Sequence, residues 1–107
     1  MATTYKILGQ ITGSNATSSL YTVPAATQTV VSSLVIANRS TVNSTFWIAA
    51  LPSGSALDPK HYLAFNVPIS GSDSTALTLG ITLGAEDQIQ VSGMATGSFT
   101  LFGSQIS

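Results

Sequence analysis

The fold of this chain is decided by the stretch VVSSLVIANRSTVNSTFWIAAL, residues 30–51. Its two ends are rich in β-branched and aromatic residues, which favour a pleated surface. Each end is apolar at odd and even positions alike, for example Val30 beside Val31 and Phe46 beside Trp47. A strand that is apolar on both faces needs cover on both faces. We therefore predict two central strands, joined by the polar segment 38–44, with the rest of the chain packed around them.

The remaining sequence alternates short strand patterns with turn residues. Near the N-terminal end, Tyr5, Ile7 and Ile11 share one face, which predicts a half-buried edge strand. Clusters of glycine and small polar residues at 13–17, 71–74 and 93–97 predict turns or loops, and Gly80 predicts a bend or bulge. The pattern gives about eight short strands, with turn signals every 8–12 residues and no helical period. We expect residues 1–107 to form a single all-β domain, an antiparallel β-sandwich or jelly roll.

The same alternation predicts the core. Every second residue of the segment 62–69 is apolar and is expected to point inward; these residues are Leu63, Phe65, Val67 and Ile69. The side chains expected at the centre of the core are Leu34, Ile36, Phe46, Ile48, Phe65, Leu79 and Leu101. Trp47 is also expected in the core, because large aromatic side chains dominate core burial. The alternative for Trp47 is an exposed ring that stacks on a sugar.

The composition contains few charges. Hydrophobic residues make up 44% of the chain and charged residues only 7%, with a formal net charge of -1. An ordinary domain carries about 25% charged residues. Because net charge helps to keep proteins soluble and apart, this balance favours a subunit that contacts identical neighbours over a monomer kept soluble by serine and threonine. The three cations Lys6, Arg39 and Lys60 are scattered along the chain, which argues against nucleic-acid binding through phosphates.

Several other classes of protein are disfavoured by what the sequence lacks. There is no cysteine, so neither a disulfide framework nor a thiolate metal site is expected. No apolar run approaches the roughly 20 residues of a membrane helix. The first residues, MATTYK, do not have the pattern of a signal peptide. We expect a protein made in a cytoplasm, with no membrane partner.

The sequence contains no recognisable catalytic constellation. His61 is the one histidine and lies near Asp58 and Lys60, but the chain has no cysteine, no Gly-x-Ser-x-Gly motif and only 4 carboxylate side chains. We interpret His61 as a solvated loop residue, since catalysis needs both fixed geometry and a poised pKa. The other acidic side chains lie in turn patterns with too few oxygen ligands for calcium; these are Asp73, Glu86 and Asp87. We predict no catalytic, cofactor-binding or metal-binding residues, no cofactor, and a protein that is not an enzyme.

Five phrases occur in order along the chain and carry a resemblance to a known family. They are SLYTVPA at 19–25, VIANR at 35–39, KHYL at 60–63, ALTLGITL at 76–83 and FTLFGSQI at 99–106. Together they resemble small virion structural proteins of tailed bacteriophages, with those of cyanophages and other aquatic phages the most similar. The likeness lies in strand-and-turn pattern and short phrases over nearly the whole chain.

The resemblance implies a non-enzymatic role in the virion, after synthesis in the cytoplasm of the host bacterium. One hypothesis is a capsid cement, or decoration, protein that binds and stabilises the outer capsid shell as a homo-oligomer, a trimer, with the major capsid protein as its partner. A single compact domain without coiled-coil heptads or fibre repeats favours this placement. The alternative is a subunit of the tail or tail fibre that serves assembly or recognises host glycans. We expect the charge-poor strand faces and the loop 52–61 to make the contacts.

Overall fold

The computed structural model describes residues 3–107, without the side chains at positions 14–16, 94 and 95. These residues form strands and one short 3-10 turn, in the order β1 Thr3–Thr22, β2 Gln28–Asn38, β3 Ser44–Leu51, the 3-10 turn Pro59–His61, β4 Tyr62–Ile69, β5 Ser74–Leu83 and β6 Gln88–Ile106. Within the described residues, no helix is long and apolar enough to span a membrane.

Two of the strands, β1 and β6, pass from one layer of the fold to the other. Residues 3–12 of β1 pair with residues 98–106 of β6, whereas residues 18–22 pair with residues 88–91. Each long strand therefore counts twice, and the six continuous strands act as the eight segments that the sequence predicts. All the pairings are antiparallel.

The pairings define two four-stranded sheets. Sheet I has the order β1, β6, β2, β5 and contains residues 3–12 of β1 and residues 98–106 of β6. Sheet II has the order β1, β6, β3, β4 and contains residues 18–22 of β1 and residues 88–91 of β6. Numbered along the chain, the eight segments run 1-8-3-6 in sheet I and 2-7-4-5 in sheet II. This is the strand order of a jelly roll, in which a long folded hairpin wraps into two layers. The predicted fold class is confirmed.

The stretch 30–51 lies at the centre of both layers. In sheet I, β2 is flanked by β6 and β5, and in sheet II, β3 is flanked by β6 and β4. Leu34 stands opposite Leu101 across the β2–β6 pair, and Ile48 stands opposite Val91 across the β3–β6 pair. The predicted central strands are therefore confirmed, and their inward side chains meet between the two sheets.

The core contains most of the side chains that the alternation predicts. Five of them are completely buried, namely Leu34, Ile36, Phe46, Ile48 and Leu101, and Leu79 is partly buried against the same cluster. Phe99, Ile89 and Val91 from β6 complete the centre. Among the described residues, every buried side-chain nitrogen and oxygen has a hydrogen-bond partner.

The expectation for Phe65 is wrong, because β4 is bulged. Phe46 stands opposite Val67 and Ile48 stands opposite Ala64, so two residues of β4, Phe65 and Asn66, face a single residue of β3. Asn66 has a positive φ of 54°. An extra residue reverses the alternation, and Phe65 is 65% exposed on the outside of sheet II. A second register shift leaves Leu63 exposed as well.

The expectation that Tyr5, Ile7 and Ile11 share one face is also wrong, because β1 contains a bulge. Ile7 stands opposite Phe102 and Gly9 opposite Leu101, which leaves Leu8 as the extra residue. Leu8 and Ile11 pack against the core, whereas Tyr5 and Ile7 are 83% and 50% exposed. The strand does lie at the edge of sheet I, as predicted. The bulge predicted at Gly80 is confirmed, since Gly80 has a φ of +58° where β5 shifts its register against β2.

Candidate functional site

Three aromatic side chains meet on the outer side of sheet II. Trp47 lies between Phe46 and Ile48, which are completely buried, so the alternation of β3 directs Trp47 outward. The rings of Trp47 and Phe65 are perpendicular at 89°, with centroids 6.2 Å apart. The rings of Tyr62 and Phe65 are 5.0 Å apart at 82°. We call Trp47, Tyr62 and Phe65 the aromatic cluster.

The indole of Trp47 lies close to Gly93 of β6, which leaves room for the ring because it has no side chain. A Cβ added at Gly93 would lie 3.0 Å from Cζ3 and 3.1 Å from Cε3 of Trp47, and 2.5 Å from the carbonyl oxygen of Thr45. Gly93 also has a φ of +92°, a conformation that favours glycine. Trp47 is half-buried on the outer side of the sheet, so the expectation that it lies in the core is wrong. Its outer ring face is the part that the alternative hypothesis, stacking on a sugar, requires.

A row of amide and hydroxyl side chains runs beside the aromatic cluster on β6. Ile89 and Val91 point into the core, so the residues that alternate with them point outward. Ser92 stands opposite Trp47, Gln90 opposite Ala49, and Gln88 opposite Leu51. Nε2 of Gln90 donates a hydrogen bond to Oε1 of Gln88 at 2.9 Å. We call Gln88, Gln90 and Ser92 the polar row, and none of its members carries a charge.

The loop 52–61 borders the aromatic cluster and is held by local hydrogen bonds. The backbone N–H of Lys60 donates to Oδ1 of Asp58 at 3.3 Å, and the backbone N–H of Asp58 donates to Nδ1 of His61 at 3.0 Å. This reciprocal capping fixes the 3-10 turn Pro59–His61. His61 is only 8% exposed. The interpretation of His61 as a solvated residue is therefore wrong, since its imidazole is a buried cap of the turn.

The carboxylates are used in turns. Asp87 accepts hydrogen bonds at 2.8 Å from the backbone N–H of both Ser53 and Gly84, and so connects the loop 52–61 to the turn before β6. Asp73 accepts a 2.8 Å bond from the N–H of Ser74. Glu86 has a φ of 65° in the same turn as Asp87. Within the described residues, no group of three or more His, Cys, Asp or Glu side chains is placed to hold a metal ion.

A second apolar surface lies on the outer side of sheet I. An open groove of about 550 Å³ is lined by Tyr5, Ile7, Val30 and Phe102, with Ser32, Gly103 and Ser104 between them and Lys6 at its border. Tyr5 and Val30 both stand opposite Ser104, and Ile7 stands opposite Phe102. The buried Ser104 is small, so the larger side chains rise on both sides of it. We call this surface the sheet I groove.

Comparison with known proteins gives a distant structural likeness. No family model matches the chain, and no curated protein matches it. A chain in the structure of infectious bursal disease virus, Gt strain, is similar to it with a TM-score of 0.49 and 9% sequence identity. The match covers 96% of this chain and 31% of the viral chain, so this chain spans less than a third of that chain's length.

The sequence signals locate only part of these surfaces. The loop 52–61 leads directly into Tyr62 of the aromatic cluster, but the aromatic partner of Trp47 is Phe65, which the sequence assigns to the core. The sheet I groove escapes sequence reasoning because it depends on the bulge at Leu8. The alternation of β2 assigns Val30 to the face of Leu34 and Ile36, but the register shift between Val31 and Ser33 turns Val30 outward, where it is 36% exposed. By contrast, Ala49 and Leu51 on the outer face of β3 are covered.

Proposed function

We propose that this chain is a structural protein of a bacteriophage virion, a decoration protein that binds and stabilises the outer capsid shell as a homo-oligomer. The observation that carries the proposal is the sheet I groove, an apolar surface on a domain with few charges. Large exposed apolar surfaces on small domains mark contacts with other proteins. The resemblance of the five sequence phrases to phage virion proteins supports the same role. The role is non-enzymatic.

The energetics favour a role in a symmetric shell over a simple pair of proteins. Burying a Val, Ile or Phe side chain contributes roughly 1.5–3 kcal/mol. A few such residues barely exceed the loss of translational and rotational freedom on association, about 4–15 kcal/mol. In a trimer bound to a repeating lattice, each further contact forms within an already tethered assembly, so weak contacts add up. We propose a trimer whose sheet I groove contacts the major capsid protein.

A matched pair of valine substitutions tests the groove. Val30→Asp places a carboxylate among the apolar side chains of the groove, whereas Val42→Asp places one on a loop valine that is 68% exposed. Purified variants are added back to virions that lack the protein, and bound protein and the survival of particles under heat and osmotic shock are measured. We expect Val42→Asp to bind and protect like the wild type, and Val30→Asp to lose both.

Two results would overturn the proposal. One is equal heat and osmotic resistance of particles with and without the protein. The other is an electron cryo-microscopy map of the virion in which the chain lies elsewhere than on the capsid. Density at symmetry positions of the shell, with three copies together, is the expected result.

A second role is favoured by the aromatic cluster. A subunit of the tail or tail fibre that serves assembly or recognises host glycans would also present an exposed aromatic surface, and Phe65 is 65% exposed. Density in the tail or its fibres would favour this role and exclude the decoration protein.

A further inference from the structure

We propose that the aromatic cluster and the polar row together form a binding surface for a neutral saccharide. The inference goes beyond a role in shell stability and gives a ligand class to the second proposed role, glycan recognition. It holds for either position in the virion, because the surface lies on sheet II, opposite the sheet I groove. It concerns the purified protein alone, so it can fail while the capsid role stands.

The geometry of the rings suits a sugar. Trp47 rests against Gly93, and Phe65 stands perpendicular to it at 89°. In the proposed site, the ring of Trp47 serves as the floor and the ring of Phe65 as the wall. A pyranose ring has one face of C–H groups and a rim of hydroxyls, so its apolar face can lie on an aromatic ring while its edge meets the wall. Aromatic side chains with such open faces supply contact area with little loss of conformational entropy.

The polar row lies one strand away from Trp47, within reach of the hydroxyl groups of a sugar stacked on the indole. Ser92 and Gln90 are two residues apart on β6, which corresponds to about 6.6 Å. Neighbouring strands are about 4.8 Å apart, so a sugar stacked on Trp47 has its rim over β6. The Gln90–Gln88 bond uses one donor of Gln90 and one acceptor of Gln88. An amide carries two N–H donors and a carbonyl acceptor, so donors and acceptors remain for hydroxyl groups.

The charges of the surface select the class of sugar. Neither the aromatic cluster nor the polar row contains Asp, Glu, Lys or Arg. An acidic saccharide would lose part of the hydration of its carboxylate and would gain no ion pair from these six side chains. A neutral saccharide has no charged group to desolvate. The surface therefore fits an uncharged glycan with at least one apolar pyranose face.

The test uses the one tryptophan of the chain, Trp47, as its reporter. Purified protein is titrated with neutral oligosaccharides of glucose, mannose, galactose and N-acetylglucosamine up to about 10 mM, with oligogalacturonate as the acidic comparison, since a Kd near 1 mM is within reach of a small surface. We expect a saturable change in Trp47 emission and reduced quenching by acrylamide with at least one neutral sugar. Isothermal titration calorimetry with the same sugar gives the Kd of the wild type and of each variant.

Three substitutions separate the proposed surface from the rest of the protein. Phe65→Ala removes the wall and should raise the Kd about tenfold or more, and Gln90→Ala should raise it severalfold. Tyr5→Ala removes an aromatic ring that is more exposed than Phe65 but lies in the sheet I groove, and should leave the Kd unchanged. Circular dichroism confirms that each variant is folded.

The proposal is overturned by any of three results. The first is the absence of saturable binding with every neutral sugar of the panel. The second is a Kd that Phe65→Ala does not change. The third is burial of Trp47 that depends on protein concentration in the absence of sugar, with a matching increase in sedimentation, which would assign the aromatic cluster to contact with a second copy of the chain.

Discussion

The hydroxyl oxygen of Tyr21 lies 2.8 Å from Oγ1 of Thr29 in the interior of the protein. The same Tyr21 oxygen accepts a hydrogen bond from Nε2 of Gln105. Tyr21 belongs to sheet II, whereas Thr29 and Gln105 are paired across β2 and β6 in sheet I. This small polar network therefore connects the two layers through a core that is otherwise apolar.

Removing the Tyr21 hydroxyl should destabilise the fold. Tyr21→Phe leaves the hydroxyl of the fully buried Thr29 without its partner, and we expect a loss of about 1–3 kcal/mol in the free energy of unfolding. The control is Tyr62→Phe, on the outer side of sheet II, which should change stability by less than about 0.5 kcal/mol. Urea denaturation measures both. Equal losses in the two variants would contradict a structural role for the network.

The support of Trp47 by Gly93 predicts a strong effect of a single methyl group. Gly93→Ala brings a Cβ against Thr45 and Trp47 at a φ of +92°, whereas Gly54→Ala adds one at a φ of +75° with no atom within 4 Å. Both variants carry the backbone strain, of order 1 kcal/mol or more, but only Gly93→Ala adds the clash. We expect the larger loss of stability, and a shift of Trp47 emission, for Gly93→Ala alone. Thermal unfolding followed by tryptophan fluorescence tests this, and indistinguishable variants would refute it.

Two phenylalanines one strand apart should differ sharply in their contribution to stability. Phe46 is completely buried and Phe65 is 65% exposed. Phe46→Ala should cost about 3–5 kcal/mol through lost burial and the cavity left behind, and Phe65→Ala about 1 kcal/mol or less. Chemical denaturation decides between this arrangement and the unbroken alternation of β4, for which both losses would be large.

Asp87 should hold the loop 52–61 in place. Asp87→Ala removes the acceptor of the Ser53 and Gly84 N–H bonds, and we expect a loss of about 1.5–3 kcal/mol in the free energy of unfolding, the range for hydrogen bonds to a charged group. Hydrogen exchange at Ser53 should become faster. Asp73→Ala, which removes only a bond to the adjacent Ser74, is the matched control and should leave Ser53 protected. Unchanged exchange at Ser53 in Asp87→Ala would show that the loop is held by other contacts.

Sequence reasoning succeeded where strands run without an inserted residue. The faces of Leu34 and Ile36 follow from simple alternation, because their stretch of β2 pairs without interruption with β6. Alternation failed for Tyr5, Ile7 and Phe65, each of which lies beside a bulge. The bulge at Gly80 was predictable because glycine marks it. The bulge at Asn66 was not, since asparagine at a positive φ gives a weaker signal.

The orientation of Trp47 shows a second limit. Phe46 and Trp47 are both large and aromatic, so composition does not say which of them points inward. The choice is made by pairing, because Ile48 stands opposite Val91 and fixes the inward face of β3. Pairing partners that are distant in the sequence are not visible in a local pattern. The predicted turn at 13–17 and loop at 93–97 are wrong for the same reason: β1 and β6 continue through these segments as strands and cross there between the two sheets, with Ser14 opposite Gly93.

The long β1–β6 pair has a consequence for how the protein is made. Thr3 stands opposite Ile106 and Thr22 opposite Gln88, so the first strand has no partner until β6 has been synthesised. Contacts between residues this far apart in the chain slow folding to the millisecond-to-second range and leave apolar strands unpaired in the meantime. We therefore expect β1 to emerge from the ribosome unfolded and to join the fold after synthesis of β6, as the step that closes both layers at once.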